Sequence, residues 1–356
     1  MSKFALTSSP GFRIGTVAMT WLVLITMLHL TLNKEAKTAS RVVMGYMPVV
    51  TNLAAPLVDY VTRGDDLYFE ARKFASFAEM GEAFRSGHIQ AAFIIAPLAI
   101  RLFEQGVPLK IVYIGNRHES TLVMRAGERC ESPADLIGKK IAVPIRYSSH
   151  FLALKRYMRT NGLEESQVRI LEIPPPEMPA ALSSSEIDGY FVGEPFACKS
   201  MVSGTGKRFL NVESIWPKFI CNLLIVREEL IDSHPEWVRK LVSLAAKSCL
   251  WAQDHMEDTV KIVSSYWGQD PGFVQYVFAN PPGRFRFDLY VPIAEELNEM
   301  IREMSLEGLA GKELDARWMV DDHFAGEALK GSAPPFKDIF SIKLNTATAF
   351  HAQEKK

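Results

Sequence analysis

Glu79-Met80-Gly81-Glu82-Ala83-Phe84-Arg85-Ser86-Gly87-His88-Ile89-Gln90-Ala91-Ala92-Phe93 returns 98 positions later as Glu177-Met178-Pro179-Ala180-Ala181-Leu182-Ser183-Ser184-Ser185-Glu186-Ile187-Asp188-Gly189-Tyr190-Phe191. The register continues without a gap to Pro97 and Pro195. Run backwards at the same offset, Thr51-Asn52 falls on Ser149-His150 and Val43 on Ile141. Residues 41–97 and 139–195 are therefore two copies of one unit. Two copies are too few for a solenoid, which needs at least about three repeats to bury a continuous core. Two similar lobes facing each other make a clamp with a cleft between them, a common place for a small ligand.

Hydrophobic periodicity gives each copy its fold. In the first, Arg41–Met47 predicts a strand, Asn52–Val61 a helix, Leu67–Phe74 a strand, Phe77–Ser86 a helix ended by Gly87, and Ala91–Ile95 a buried strand. Leu109–Ile114 adds another strand. The second copy repeats the order with Lys140–Pro144, His150–Thr160, Val168–Ile173, Glu177–Ser183 and Gly189–Val192. Between the copies Ser120–Arg125 reads as a crossing strand, and after them Ile220–Val226 returns as a strand. Alternating strands and helices imply a mostly parallel sheet covered on both faces. The remainder is helical. Ser233 is expected to cap a helix that begins with Pro235 and runs to Asp254, followed by helices at 256–267, 271–278 and 292–306. The organisation read from this pattern is an N-terminal segment over 1–40, a first lobe over 41–118, a second over 119–226, a helical part over 227–330 completing the lobes, and a tail over 331–356.

Bulk properties narrow the function. The 356 residues are 48% hydrophobic, enough for two packed domains. A net charge of −1 disfavours nucleic acid, which needs a basic face. The four cysteines, Cys130, Cys198, Cys221 and Cys249, are widely spaced with no CxxC, so they read as buried free thiols; no metal set and no cofactor is expected. At the N-terminus, Lys3 and Arg13 precede an apolar run from Ile14 to Leu32, with no acid before Glu35. This reads as an export signal, cleaved or retained as an anchor, rather than as a buried helix. Ala36-Lys37-Thr38 and Thr38-Ala39-Ser40 are poor cleavage sites, and no cysteine follows for lipid attachment. Either way, residues from 41 onward lie outside the cytoplasm, in the periplasm, with or without a tether to the inner membrane.

The repeat also nominates the ligand site. In such sheets ligands sit beyond the carboxyl ends of the strands, where helix N-termini point unpaired N–H groups. After the first strand come Thr51 and Asn52 in one copy, and Arg146, Tyr147, Ser148, Ser149 and His150 in the other. After the second come Ser76 and Phe77, matched by Pro174-Pro175; after the third, Ala96 and Pro97, matched by Gly193, Glu194 and Phe196. Tyr46 ends the first strand. The hydroxyls of Thr51, Ser76, Ser148 and Ser149 suit an oxyanion, although each is equally placed for an ordinary helix cap. Arg146 and His150 offer charge. No GxSxG, HExxH, P-loop or GxGxxG occurs, so no catalytic set is nominated and the chain reads as a binder rather than an enzyme.

Pro174-Pro175-Pro176-Glu177-Met178, followed by Ile187-Asp188-Gly189-Tyr190-Phe191-Val192-Gly193-Glu194-Pro195-Phe196, resembles the nitrate/sulfonate/bicarbonate family of ABC-transporter substrate-binding proteins, and within it the nitrate- and bicarbonate-binding branch. Gly45-Tyr46-Met47-Pro48, Ala54-Ala55-Pro56-Leu57, Val143-Pro144 through Ser149-His150, and Trp318-Met319-Val320-Asp321-Asp322 are similar to other segments of that family, so the likeness covers roughly 41–330. The resemblance implies a periplasmic-binding-protein type II fold of two α/β lobes. It also implies capture of a small anion or polar solute for an ABC permease and its ATPase, with His150 at the anion site. Phe196 and Phe77 stand where the branch carries tryptophan. Cys221 or Asn222 stands where it carries a lysine, with Lys218 nearby. The alternatives on the same fold are a membrane-tethered sensor or accessory module, or an enzyme such as a thiamine-pyrimidine synthase or a menaquinone-pathway enzyme.

Overall fold

A computed structural model describes residues 10–32 and 40–330. The chain divides into two compact units, residues 1–40 and 41–356. In the first, Pro10–Leu32 forms a helix, α1, whose side chains from Val17 to Leu28 are exposed. Among the described residues no helix is long and apolar enough to cross a membrane. The expected tail over 331–356 lies outside the described residues.

The second unit carries the repeat. Its first half runs β1 (Ser40–Tyr46), α2 (Ala54–Thr62), β2 (Leu67–Lys73), α3 (Phe77–Arg85), β3 (Ala91–Ile95), α4 (Ala96–Glu104) and β4 (Leu109–Ile114). After β5 (Ser120–Arg125) the order returns as β6 (Lys140–Val143), α5 (Ser149–Thr160), β7 (Arg169–Glu172), α6 (Met178–Ser183), β8 (Gly189–Gly193), α7 (Phe196–Val202) and β9 (Gly206–Asn211). Then β10 (Asn222–Arg227) follows. The two sheets are ordered β2-β1-β3-β10-β4 and β7-β6-β8-β5-β9. Counted within each copy, both read second, first, third, crossing strand, fourth. The crossing strands are exchanged: β5 enters the second sheet and β10 returns to the first, each antiparallel to its neighbours. The chain thus passes between the lobes twice, just before β5 and just before β10.

The structure adjusts the sequence reading in three places. Met44 pairs with Ala91 and Ile141 with Gly189, so the first strand repeats at an offset of 97, not 98, and Ser148 rather than Ser149 stands at the place of Thr51. Ladder pairing fixes this register, and the connections before and after the helices absorb the difference. Second, Ala96-Pro97 is not a loop, because α4 starts where β3 ends; at the matching place only the turn Glu194-Pro195 separates β8 from α7. Proline in the first turn of α4 needs no N–H partner, so the unbroken apolar run switches from strand to helix without polar punctuation. Third, Ser233 ends a short helix, α8 (Glu228–Ser233), where its hydroxyl donates to Glu229 O at 2.6 Å; the next helix, α9 (Pro235–Asp254), is preceded by His234.

The C-terminal helices divide between the lobes. α9, α10 (Met256–Trp267) and α11 (Pro271–Ala279) bury Leu241, Ala245, Val263 and Val277 in one cluster with Leu57 and Val58 of α2, and with Phe69 and Phe93 of the first sheet. α12 (Ala294–Leu306) packs instead against α4 of one lobe and α5 of the other. Its residues Leu297, Met300, Ile301 and Met304 are buried on that face, at helical spacing. Among the described residues the last helix is α13 (His323–Gly326).

Candidate functional site

The carboxyl ends of β1, β6 and β8 converge on the seam between the lobes. Val49 and Thr51 come from the short 3-10 turn after β1, and Phe77 is the first residue of α3. Pro144 follows β6, His150 lies in the first turn of α5, Pro175 precedes α6, and Val192 and Gly193 end β8. The two crossing segments contribute Glu119, one residue before β5, and Cys221 and Asn222 at the start of β10. Together these residues enclose a cavity of about 10 Å³, room for roughly one water-sized body. The lobes are closed on it: Val50 N of the first lobe donates to Glu194 O of the second at 2.8 Å.

The lining is buried and mostly hydrogen-bonded. Ser120 Oγ donates to Glu119 Oε1 at 2.7 Å and lies 2.9 Å from His150 Nε2. The Glu194 N–H donates to Glu119 Oε2 at 2.8 Å. Cys221 Sγ is 3.8 Å from His150 Nε2 and donates to Asn222 Oδ1 at 3.2 Å. Asn222 Nδ2 in turn donates to Asn52 Oδ1 at 2.6 Å, joining β10 to the turn after β1. The Glu194 carboxylate accepts from Cys198 N at 2.7 Å and from Thr121 Oγ1 at 3.3 Å. Arg284, also buried, reaches in from the C-terminal part and donates to Thr121 Oγ1, Ser120 O and Glu213. Thr51 Oγ1 and His150 Nδ1 are buried without a hydrogen-bond partner. Such orphaned polar atoms are uncommon inside a fold and point to a role beyond packing.

Burial sets the electrostatics. It pushes the Glu119 carboxyl up to about 7, and the neighbouring Glu194 adds to the rise against the opposing effect of Arg284. Glu194 is itself raised by burial. The His150 imidazole is pushed down to about 3 for the same reason, so it is neutral at ordinary pH. The Cys221 thiol is driven well above its usual range by burial and by Glu119. No lysine or arginine is among the residues that line the cavity. Lys218, next to the expected cation position, is exposed and lies 3.6 Å from Glu296.

The nominated residues separate into two groups. Thr51, Phe77, His150 and Gly193 line the cavity; Asn52 and Glu194 hold its lining residues. The others lie elsewhere. Ser76 and Ser148 cap α3 and α5, accepting from Ala78 N and Phe151 N, both at 3.2 Å. Ser149 faces Met300 of α12, with Oγ 4.0 Å from Sδ. Tyr46 is in the first lobe's core and donates to Tyr266 O at 3.1 Å. Arg146 is exposed, and Tyr147 lies under the Arg101 guanidinium. Ala96 N donates to Cys221 O, Pro97 is buried in the first turn of α4, and Phe196 is buried with its carbonyl accepting from Tyr190. Glu119, Ser120 and Arg284 were outside the sequence reading. The signal for Glu119 was its position immediately before a crossing strand, the same position that Cys221 occupies before β10.

Comparison with known proteins agrees with this architecture. The chain is 30% identical to the taurine-binding periplasmic protein of Escherichia coli K12 over 185 residues, 51% of this chain and 55% of that protein, so the match spans about half the relative's length. Its fold is that of the ligand-binding component of an ABC-type import system from Staphylococcus aureus, solved with zinc bound, at a TM-score of 0.74 and 22% identity, covering 82% of this chain and all of the other. It also matches the periplasmic nitrate-binding protein NrtA from Synechocystis PCC 6803 at a TM-score of 0.72 and 15% identity, covering 82% of this chain and 88% of that one. At these identities the two structures establish a shared two-lobe fold of the periplasmic-binding-protein kind. The family model described as NMT1-like matches residues 27–264, and the chain belongs to the NMT1-like family.

Proposed function

We propose that this chain is the extracytoplasmic solute-binding component of an ABC uptake transporter, capturing a small anionic or polar solute between its lobes. The observation that carries the reading is the seam itself. Two sheets of identical order bring the ends of their parallel strands, the first turn of α5 and both crossing segments to one point, where Thr51, Glu119, His150, Cys221 and Asn222 meet apolar walls. Proteins named for binding taurine and nitrate share this family or fold. The neutral donors Thr51, Asn222 and His150 supply hydrogen bonds; Phe77 and two prolines supply walls. In this reading the apolar N-terminal stretch directs export, and a permease with its ATPase receives the loaded protein.

Binding rather than catalysis fits the chemistry of the seam. A nucleophilic Cys–His pair needs a thiol poised to ionise and an imidazole able to take its proton. Here burial drives Cys221 up and His150 down, the opposite arrangement.

The test is a thermal-shift screen of the purified protein against taurine, other alkanesulfonates, nitrate and bicarbonate. A solute that binds only the folded state raises the melting temperature. The expected result is a rise with at least one of these, which His150→Ala reduces together with a fall in affinity of about tenfold, the loss of one hydrogen bond. No rise with any of them removes the reading.

A further inference from the structure

We propose that Glu119, His150 and Cys221 form a binding site for a divalent metal ion of the zinc class, placed where the two lobes close. The proposal rests on the reading of the seam as a ligand cleft and names a ligand class for it.

The geometry comes first. One ligand atom from each of the three side chains lies within 4.8 Å of the other two, and all three residues are buried. His150 Nε2 and Cys221 Sγ are 3.8 Å apart. Zinc–nitrogen and zinc–sulfur bonds of ordinary length at a tetrahedral angle place those atoms about 3.6 Å apart, so the pair needs little movement. Imidazole, thiolate and carboxylate are the donor types zinc takes, and this mixture suits borderline-soft ions better than calcium or magnesium. A supporting shell is also in place. The Glu194 N–H holds the second carboxylate oxygen of Glu119, while Ser120 Oγ, which donates to Glu119 Oε1, lies 2.9 Å from His150 Nε2 and turns away from that nitrogen when the ion takes it. Such outer contacts orient metal ligands.

The size of the cavity points the same way. About 10 Å³ accommodates an ion or a water, whereas a sulfonate needs the lobes to part. A seam kept for packing alone gains nothing from a buried carboxyl, and the guanidinium of Arg284 is engaged by Glu213 and Thr121. Three protein ligands leave a fourth position open, and the Thr51 hydroxyl, buried without a partner, lines the cavity on that account as a donor to whatever occupies it. Cys221 leads into the first sheet, while Glu119 leads into the second and His150 sits on α5. The ion therefore clamps one lobe to the other. On binding, the Cys221 S–H bond breaks, a sulfur–metal bond forms, and the proton leaves to solvent, as does any proton on Glu119; nothing is oxidised or reduced.

The experiment uses the full chain, stripped with chelator and titrated with cobalt(II) chloride, then with zinc(II) chloride in competition with a coloured chelator. The expected result is stoichiometric cobalt binding with a thiolate-to-cobalt charge-transfer band and the intense visible bands of a four-coordinate ion. The charge-transfer band disappears in Cys221→Ser and persists in Cys249→Ser, a buried thiol in the core of the first lobe. Glu119→Gln and His150→Ala weaken zinc by more than about tenfold, since loss of an outer contact alone costs that much. Circular dichroism in chelator shows which variants fold, and the wild-type spectrum stands without them. Absence of the charge-transfer band in wild type, or its persistence in Cys221→Ser, overturns the site. A solute-driven rise in melting temperature in stripped protein that shows no cobalt band removes the metal and leaves the solute cleft. A cobalt band with no solute response supports the metal and removes the solute reading.

Discussion

At the scale of single residues, Gly193 shows how the seam is built. A methyl group there would lie 2.3 Å from Glu119 Oε2, and that oxygen is held by the Glu194 N–H. The carboxyl cannot retreat without losing its bond, so Gly193→Ala is expected to destabilise the protein by about 1–3 kcal/mol, the usual cost of overpacking. The penalty is expected to shrink in a Glu119→Ala background, because the clash then has no partner. Urea unfolding of the two single variants and the double variant measures the coupling; strict additivity would sink this account of the contact. Thr51 and Ser148 make a second contrast. Ser148→Ala removes a helix cap and is expected to cost about 1 kcal/mol of stability while leaving solute response intact. Thr51→Ala deletes a hydroxyl with no partner, so stability is expected to hold and binding to fall. The opposite pattern in melting and titration experiments would reverse the two roles. His150, Thr51 and Gly193 were legible in the sequence because they stand at strand ends of the repeat. Ser148 and Ser76 stand at equivalent ends, yet their side chains turn back to cap their own helices. Position in a repeat selects a loop, and local hydrogen bonding decides which way each side chain faces.

At the scale of elements, α12 ties the lobes together. Glu299 and Glu303 pair with Arg156 and Arg159 of α5 at 2.6 and 2.5 Å, while Glu307 meets Lys155 at 3.0 Å. Glu296 pairs with Arg117, in the first crossing segment, at 2.6 Å. These pairs are not equivalent. Arg117 is buried, so Glu296→Gln leaves an uncompensated charge and is expected to cost about 3 kcal/mol. Glu299→Gln acts at a partly exposed pair and is expected to cost about 1 kcal/mol or less, with further loss of effect in salt. Denaturant midpoints at low and high salt distinguish them, and equal effects would show that burial does not rank these pairs. The sequence announced a helix over 292–306. It did not announce that the apolar face would be shared between α4 and α5, since a helix pattern records which side is buried but not against what.

At the scale of the whole molecule, closure is the central property. The cavity of about 10 Å³ has room for roughly one water-sized body, so capture of a larger solute is expected to need the lobes to part. Solutes that raise the melting temperature are therefore expected to shift the population toward the compact form, seen as a fall in the radius of gyration by small-angle X-ray scattering. A stabilising solute that leaves the scattering curve unchanged would show that capture needs no lobe movement.

The sequence by itself determined the two-lobe α/β architecture, because a repeat and its hydrophobic periods are local patterns that each segment carries without reference to the rest. Ala91–Ile95, Leu109–Ile114 and Ser120–Arg125 have the bounds their composition predicts. Tertiary structure alone decided the place of β5 and β10 inside the two sheets, each antiparallel between its neighbours, and the meeting of Glu119, His150 and Cys221. No spacing rule links those three residues, which lie on two crossing segments and a helix and touch only when both lobes have formed. Their chemistry depends on burial, and burial is a property of the assembled lobes: the same carboxyl, imidazole and thiol in an extended chain would titrate at their ordinary values.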